Sequence, residues 1–153
     1  MKAEGAGLIA VVDTNVWISA FLSKSGAPAL AVRQVIQYGR PVFSLATFSE
    51  LQERLWRPKF DRYLSLDYRK QLLRDVDASA LWVMIPPEIA QQTFCRDPDD
   101  DKFIHVALTA KVPWLVSGDQ DLLVLTNELQ PWGVQILSPA EALQQPSFNT
   151  NPR

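Results

Sequence analysis

A dense run of carboxylates lies in the second half of the chain. Four of them fall within the five residues Asp97-Pro98-Asp99-Asp100-Asp101, directly before an apolar segment with helical spacing. Like charges this close repel one another and raise one another's pKa unless a cation or hydrogen-bond donors offset them. One interpretation is a solvated helix start, where negative charge suits the helix dipole. The other is a divalent metal site, because Mg²⁺ and Mn²⁺ prefer carboxylate oxygens.

Two more carboxylates follow apolar runs that are typical of buried strands. Asp13 comes directly after Leu8–Val12, and Asp119 comes shortly after Trp114–Val116. In an open α/β sheet, ligands bind at the carboxyl ends of the strands. The alternative for Asp13 is a helix N-cap. Asn15, two residues later, could reach a metal-bound water or close an Asx turn.

Glu50 lies in a predicted helix that follows a short strand at Pro41–Ser44. The stretch from Thr47 to Glu50 matches a capping box, in which Thr47 is the N-cap and Glu50 folds back on the first turn. That interpretation is structural. A functional interpretation of Glu50 requires that its helix begin at the same edge of the sheet as the other acids.

Short apolar strands alternate with helical segments along the chain, which predicts a three-layer α/β/α fold with a mostly parallel sheet of about five strands. The expected strands are 8–12, 41–44, 81–85, 114–116 and 134–137. Parallel strands place all of their carboxyl ends on one edge. We therefore expect Asp13, Glu50, Asp100 and Asp119 to converge, and four converging carboxylates favour a bound cation.

The composition narrows the chemistry. The chain has 153 residues, 47% of them hydrophobic, a net charge of −2 and a single cysteine, Cys95. One histidine, His105, and one cysteine do not make a zinc site, and no glycine-rich nucleotide loop is present. We expect Cys95 and His105 to serve packing or the surface. An oxygen-only Mg²⁺ or Mn²⁺ site remains, and it can activate water for phosphodiester hydrolysis.

The domain is expected to span residues 8–143, with flexible tails at 1–7 and 144–153. No signal peptide or membrane span is recognisable, and the single cysteine suits a reducing compartment, so we expect a cytoplasmic protein.

A basic segment runs from Arg54 to Arg74, with seven basic and two acidic residues and interleaved aromatic side chains. Such a segment can bind a phosphate backbone with exposed bases, or it can simply be a solvated helical arm. The candidate RNA contacts are Arg54, Arg57, Lys59 and Arg62.

Four motifs in this order resemble the PIN domain family. They are Val12-Asp13-Thr14-Asn15-Val16, Ser49-Glu50-Leu51 followed by Arg57-Pro58-Lys59-Phe60, Arg96-Asp97-Pro98-Asp99-Asp100, and the stretch from Val116 to Leu123. More narrowly, they look like the bacterial branch of VapC-like ribonucleases, which are toxins of toxin–antitoxin pairs. The resemblance covers residues 8 to about 143.

The resemblance implies a metal-dependent endoribonuclease that leaves 5′-phosphate and 3′-hydroxyl ends. It assigns catalysis to Asp13, Glu50, Asp100 and Asp119, and metal binding to Asp13, Asp100, Asp119 and Asp121. Asn15, Ser117 and Asp97 are supporting candidates, whereas Asp99 and Asp101 are expected to be solvated. A cognate antitoxin and a homodimer are also implied, together with an RNA substrate and no membrane.

Two other functions remain open at this point. One is a PIN fold that has lost catalysis and binds RNA or a protein. The other is a metal-dependent phosphohydrolase that acts on a small molecule and would need a phosphate pocket in place of an open groove.

Overall fold

The computed structural model describes residues 8–146 and residue 148. Within this part of the chain, the strands are β1 (Leu8–Val12), β2 (Gly39–Phe43), β3 (Leu81–Trp82), β4 (Trp114–Val116) and β5 (Gln135–Leu137). The α-helices are α1 (Thr14–Leu22), α2 (Ala27–Tyr38), α3 (Leu45–Leu55), α4 (Leu66–Ser79), α5 (Pro87–Ala90), α6 (Asp101–Ala110), α7 (Gln120–Leu123), α8 (Thr126–Leu129) and α9 (Pro139–Leu143). None of these helices is long and apolar enough to cross a membrane.

The five strands form one sheet in the order β3-β2-β1-β4-β5, and every neighbouring pair is parallel. The chain builds outward from β1 through β2 to β3, and then returns to place β4 on the other side of β1. The strand order therefore reverses between β1 and β4, and such a point opens a crevice at the carboxyl ends of the strands. Val12 pairs with Val116, so both strands end side by side at this crevice.

Both faces of the sheet are covered by helices. Along β1, Ala10 and Val12 belong to one hydrophobic core and Val11 to the other, as the two-residue period of a strand requires. Helices α1 to α4 and α9 pack on the first face, whereas α6, α7 and α8 pack on the second. The predicted three-layer architecture is confirmed.

The strand bounds differ from the prediction mainly in β2 and β3, and β5 begins one residue later than predicted. β3 has two residues instead of the predicted span 81–85, because it lies at the edge of the sheet and its neighbour β2 ends at Phe43. β2 begins earlier than predicted, at Gly39, where a Cβ atom would lie 1.5 Å from the carbonyl oxygen of Leu8. The close approach of β1 at this register requires glycine.

Packing continues past Leu143, the predicted end of the domain. The ring of Phe148 is 1% exposed and meets Trp114 edge-to-face at 5.6 Å. At this residue the chain is held in the core, although it lies in the segment predicted to be a flexible tail. The predicted tail at residues 1–7 lies outside the described residues.

Candidate functional site

Asp13 is the most buried of the predicted site acids, with 5% of its surface exposed. It occupies the N-cap position of α1, but its side chain makes no capping hydrogen bond. Its Oδ2 instead accepts a hydrogen bond of 2.7 Å from the Ser117 hydroxyl. Burial raises the pKa of Asp13, and the charges of Glu50 and Asp119 add to this rise, while the Ser117 hydroxyl and the nearby backbone N–H of Asn15 oppose it.

Ser117 joins the ends of β1 and β4. Its side chain is fully buried, and its hydroxyl oxygen also accepts the backbone N–H of Asp119 at 3.0 Å. The backbone N–H of Asp13 donates to the carbonyl of Val116 at 2.9 Å. One hydroxyl group thus holds the carboxylate of Asp13 and the backbone of Asp119 at the crevice.

Asp119 is the N-cap of α7, and its Oδ1 accepts the backbone N–H of Asp121 at 3.0 Å. The carboxylate of Asp121 points elsewhere, because its Oδ2 pairs with Arg96 at 3.1 Å. The Arg96 side chain is 85% exposed, so this is a surface ion pair of the kind that contributes little to stability.

Asp100 ends a single 3₁₀ turn, Pro98–Asp100, and precedes α6. Its carboxylate makes no capping hydrogen bond. Burial raises its pKa to about 6, and the negative charges of Asp119, Asp97 and Asp13 add to the rise. Asp97 holds the turn in shape by accepting the backbone N–H of Asp99 at 3.0 Å.

Asp101 was expected to be solvated, and that expectation is wrong. It is 3% exposed, and its Oδ1 accepts the backbone N–H groups of Phe94 and Cys95 at 3.0 and 2.7 Å. This residue ties the preceding loop to α6. Burial, together with Asp101, raises the pKa of the Cys95 thiol far above its ordinary value, which disfavours a nucleophilic thiolate.

The predicted capping box around Glu50 is also wrong. The N-cap of α3 is Ser44, and Thr47 completes the box with reciprocal hydrogen bonds of 3.2 and 3.0 Å. This capping box, with Thr47 at position N3, was missed because Ser44 was assigned to the preceding strand. Glu50 therefore lies one turn further into the helix and has no structural capping role.

Two cations contact Glu50. Its Oε1 lies 2.6 Å from Lys102 Nζ and 3.8 Å from Arg54 Nη2. Arg54 also donates to Asn15 Oδ1 at 2.9 Å, which links α3 to the start of α1. The sequence offers no reason to single out Lys102, because its partner Glu50 is 52 positions away.

Three carboxylates lacking cation partners among the described residues thus lie around the crevice: Asp13, Asp100 and Asp119. No three acidic, histidine or cysteine side chains in residues 8–146 and 148 already lie close enough together to hold a metal ion. The donor set nevertheless fits a hard divalent cation, since it is made of oxygens and its central member is buried and unpaired. Mutual repulsion favours separated carboxylates in the absence of such a cation.

The family follows from comparison with known proteins. A family model for the PIN domain matches residues 10–121, which include all four predicted catalytic acids. This chain is a PIN-domain protein. PIN domains are generally nucleases.

Individual relatives agree with this assignment. The PIN-domain protein is 32% identical over 133 residues to an uncharacterized protein of Methanocaldococcus jannaschii. The aligned region covers 83% of this chain and 81% of the relative. Its fold is similar to the crystal structure of VapBC2 from Rickettsia felis bound to a DNA fragment from their promoter. That match has a TM-score of 0.54 and 10% identity over 86% of this chain and 98% of the other. The crystal structure of PAE2754 from Pyrobaculum aerophilum is also similar, with a TM-score of 0.50 and 23% identity. That match covers 84% of this chain and 89% of the other.

An open groove of about 650 Å³ adjoins the acidic crevice of the PIN domain. Its lining includes Asn15, Ser19, Asp119, Gln120 and Ser138. Its lining contains one carboxylate, Asp119, and no basic residue, so it does not resemble a pocket built to bind a small phosphate ester.

The basic segment divides into exposed and buried residues. Arg57 pairs with Glu53 at 3.6 Å, and Lys59 and Arg62 lie over the neighbouring rings of Phe60 and Tyr63. These three side chains are exposed and stay candidates for RNA contact. Arg69 of the same segment is fully buried, so it cannot contact RNA.

Proposed function

We propose that this PIN-domain protein is a Mg²⁺- or Mn²⁺-dependent endoribonuclease that hydrolyses phosphodiester bonds in single-stranded or looped RNA. The observation that carries the proposal is the placement of Asp13, Asp100 and Asp119 around the point where the strand order reverses. Their charges act on one another there without a compensating cation among the described residues.

Asp13, Asp100 and Asp119 would hold the ion, and Asp121 is a further candidate once it is released from Arg96. A bound divalent ion supplies an activated water and stabilises the leaving oxygen of the phosphodiester. The protein's own residues supply position: Ser117 orients Asp13 and the backbone of Asp119, and Asp97 holds the turn that presents Asp100. Glu50 either completes the metal shell or orients groups around it.

The decisive test compares Asp13→Asn and Asp100→Asn with the wild-type protein, using labelled single-stranded RNA with Mg²⁺, Mn²⁺ or EDTA. We expect cleavage by the wild-type protein only with a divalent ion, and a loss of at least about 100-fold in each variant. Asp75→Asn is the matched control, because Asp75 is exposed on α4 and contacts Gln71. Full activity in both site variants would refute the proposal.

A second candidate is a PIN fold that binds RNA or protein without cleaving. It is favoured by the ion pairs that engage Glu50 and Asp121 and by the lack of a preassembled three-ligand set among the described residues. Calorimetric titration with Mn²⁺ separates the two candidates. The nuclease should bind Mn²⁺, and Asp100→Asn should weaken that binding, whereas the binding module should take up none. A small phosphate ester included as a substrate tests the phosphohydrolase alternative.

We further propose that the protein is the toxin of a toxin–antitoxin pair in the cytoplasm and acts as a homodimer. The four motifs support this proposal by resemblance, and the acidic crevice suits an antitoxin that inserts an arginine or lysine side chain. The test is growth arrest on expression. We expect Asp13→Asn to abolish the arrest, and we expect a small reading frame directly beside the gene whose co-expression relieves it. Growth arrest on expression of Asp13→Asn would show that toxicity does not depend on RNA cleavage and would contradict the proposed toxin mechanism.

A further inference from the structure

Lys102 projects from the first turn of α6 into the rim of the acidic crevice. Its Nζ atom lies 2.6 Å from Glu50 Oε1 and 3.1 Å from Asp99 Oδ1, and 19% of its side chain is exposed. These anchors come from α3 and from the turn before α6. A flexible lysine stem is therefore held at one place by one carboxylate from its own turn and one from a distant helix.

The ammonium group retains a hydrogen-bonding capacity. Lysine has three N–H donors, and the described residues provide acceptors for two of them. The partly exposed position leaves the third donor open to a group arriving from solvent. Lys102 thus combines a fixed position with a free donor.

The other cations near the site are arranged differently. Arg54 approaches Glu50 only to 3.8 Å and directs its other donor to Asn15. Arg96 is paired on the surface and is 85% exposed. Of these three cations, Lys102 has the shortest contact to a carboxylate, and two carboxylates fix the position of its ammonium group.

RNA must bring a phosphate to a crevice whose own charge is negative, so a fixed positive charge at the rim offsets part of that repulsion. We propose that Lys102 binds a phosphate oxygen of the RNA backbone and that Glu50 and Asp99 hold its ammonium group in place. Glu50 is then a positioning residue and not a metal ligand. This inference rests on the proposed ribonuclease function.

The test measures how RNA affinity depends on salt. Binding of a single-stranded RNA oligonucleotide is followed by fluorescence anisotropy in EDTA over a range of KCl concentrations. Each phosphate contact to a single strand contributes about 0.7 to the slope of log affinity against log salt. We expect Lys102→Met to reduce the slope by about 0.7 and Lys102→Arg to retain it. Lys24→Met is the matched control, since Lys24 is exposed beyond the far end of α1.

Lys102→Met leaves the buried carboxylate of Glu50 without its closest cation and can impair folding. The double variant Glu50→Gln/Lys102→Met removes both charges and keeps the net charge of the protein. We expect the double variant to show the same reduced slope as Lys102→Met. A slope that returns to the wild-type value in the double variant would show a general charge effect and overturn the proposal.

Mn²⁺ calorimetry provides a second readout. We expect Glu50→Gln to weaken Mn²⁺ binding much less than Asp100→Asn does, while its KM for RNA rises because the lysine loses an anchor. A loss of Mn²⁺ affinity in Glu50→Gln as large as that in Asp100→Asn would place Glu50 in the metal shell and overturn its positioning role.

The two proposals fail in different ways. If the wild-type protein neither binds nor cleaves RNA, the proposed function fails, and the phosphate-binding role of Lys102 fails with it. If the wild-type protein cleaves RNA and Lys102→Met keeps the wild-type salt slope, only the role of Lys102 fails. Where affinity in EDTA is too low to measure, the salt dependence of KM with Mg²⁺ provides the same slope.

Discussion

Two buried charged residues, Arg69 and Asp13, differ in whether the surrounding groups compensate their charge. Arg69 is fully buried, and its guanidinium donates to the carbonyls of Leu64 and Leu55 and to Asp61 at distances of 2.8 to 3.3 Å. Its charge and its donors are matched by acceptors from the last residue of α3 and from the segment between α3 and α4. The residue acts as a clamp that holds this segment together.

Asp13 is almost as buried, but its surroundings do not compensate it. The Ser117 hydroxyl and the backbone N–H of Asn15 stabilise its carboxylate. However, no cation pairs with it among the described residues, and Glu50 and Asp119 add negative charge. A buried charge without a partner costs several kcal/mol, so a fold retains one where a ligand supplies the compensation. The contrast teaches that burial of a charged residue does not indicate function by itself, and that burial without a compensating charge makes Asp13 the stronger candidate for a ligand site.

The largest expected change in stability follows from replacing Arg69, the buried charge whose partners compensate it. Arg69→Met should lower the free energy of unfolding by about 3–5 kcal/mol, because the acceptors around it lose their donors inside the protein. Urea denaturation measures the change. Lys70→Met, at the exposed neighbouring position, should change stability by less than about 0.5 kcal/mol. A loss below about 1 kcal/mol in Arg69→Met would show that the clamp is dispensable.

A smaller pair of effects compares two buried aspartates with the same substitution. Asp13→Asn should raise the free energy of unfolding in EDTA by about 1 kcal/mol, because it removes an uncompensated charge and keeps an acceptor for Ser117. Asp101→Asn should lower it by about 1–2 kcal/mol, because it weakens two charge-assisted hydrogen bonds from backbone N–H groups. Stability changes of the same sign in both variants would contradict the distinction between an uncompensated Asp13 and a hydrogen-bonded Asp101.

The smallest effect concerns pH. The folded-state pKa of Asp100 is about 6, above its ordinary value of 3.8, so folding favours the protonated form. The contribution of Asp100 to stability is therefore complete below about pH 4 and is lost as the pH rises through 6. We expect a decrease on the order of 1 kcal/mol in EDTA, allowing for solvent screening.

The control for this pH effect is Asp100→Asn, which should lose that part of the decrease, and added Mg²⁺ should oppose it in the wild-type protein. Urea denaturation at a series of pH values measures both effects. An identical pH dependence in Asp100→Asn and the wild-type protein would assign the decrease to other groups.

Much of the fold could be predicted because it depends on local patterns. The buried strands β1 and β4 are short apolar runs that end in polar residues, and Ser138-Pro139 marks the start of α9 by familiar cap chemistry. The end of β3 could not be predicted, since it depends on where the neighbouring strand stops. The start of α3 was missed because Ser44 can end a strand or cap a helix, and only the hydrogen bonds of Thr47 decide between the two.

The candidate site shows the same division at the carboxylate run from Asp97 to Asp101. The sequence by itself determined the acids, their order along the chain and the edge of a parallel sheet at which they would meet, because these follow from residue types and strand polarity. Only the tertiary structure decided that Asp100 lies near enough to Asp13 and Asp119 for their charges to raise its pKa, while Asp101 is buried and accepts two backbone N–H groups. It also decided that Lys102 pairs with Glu50 across 52 positions. Adjacent residues of a turn point in different directions, and long-range ion pairs leave no local pattern, so neither could be predicted from the chain alone.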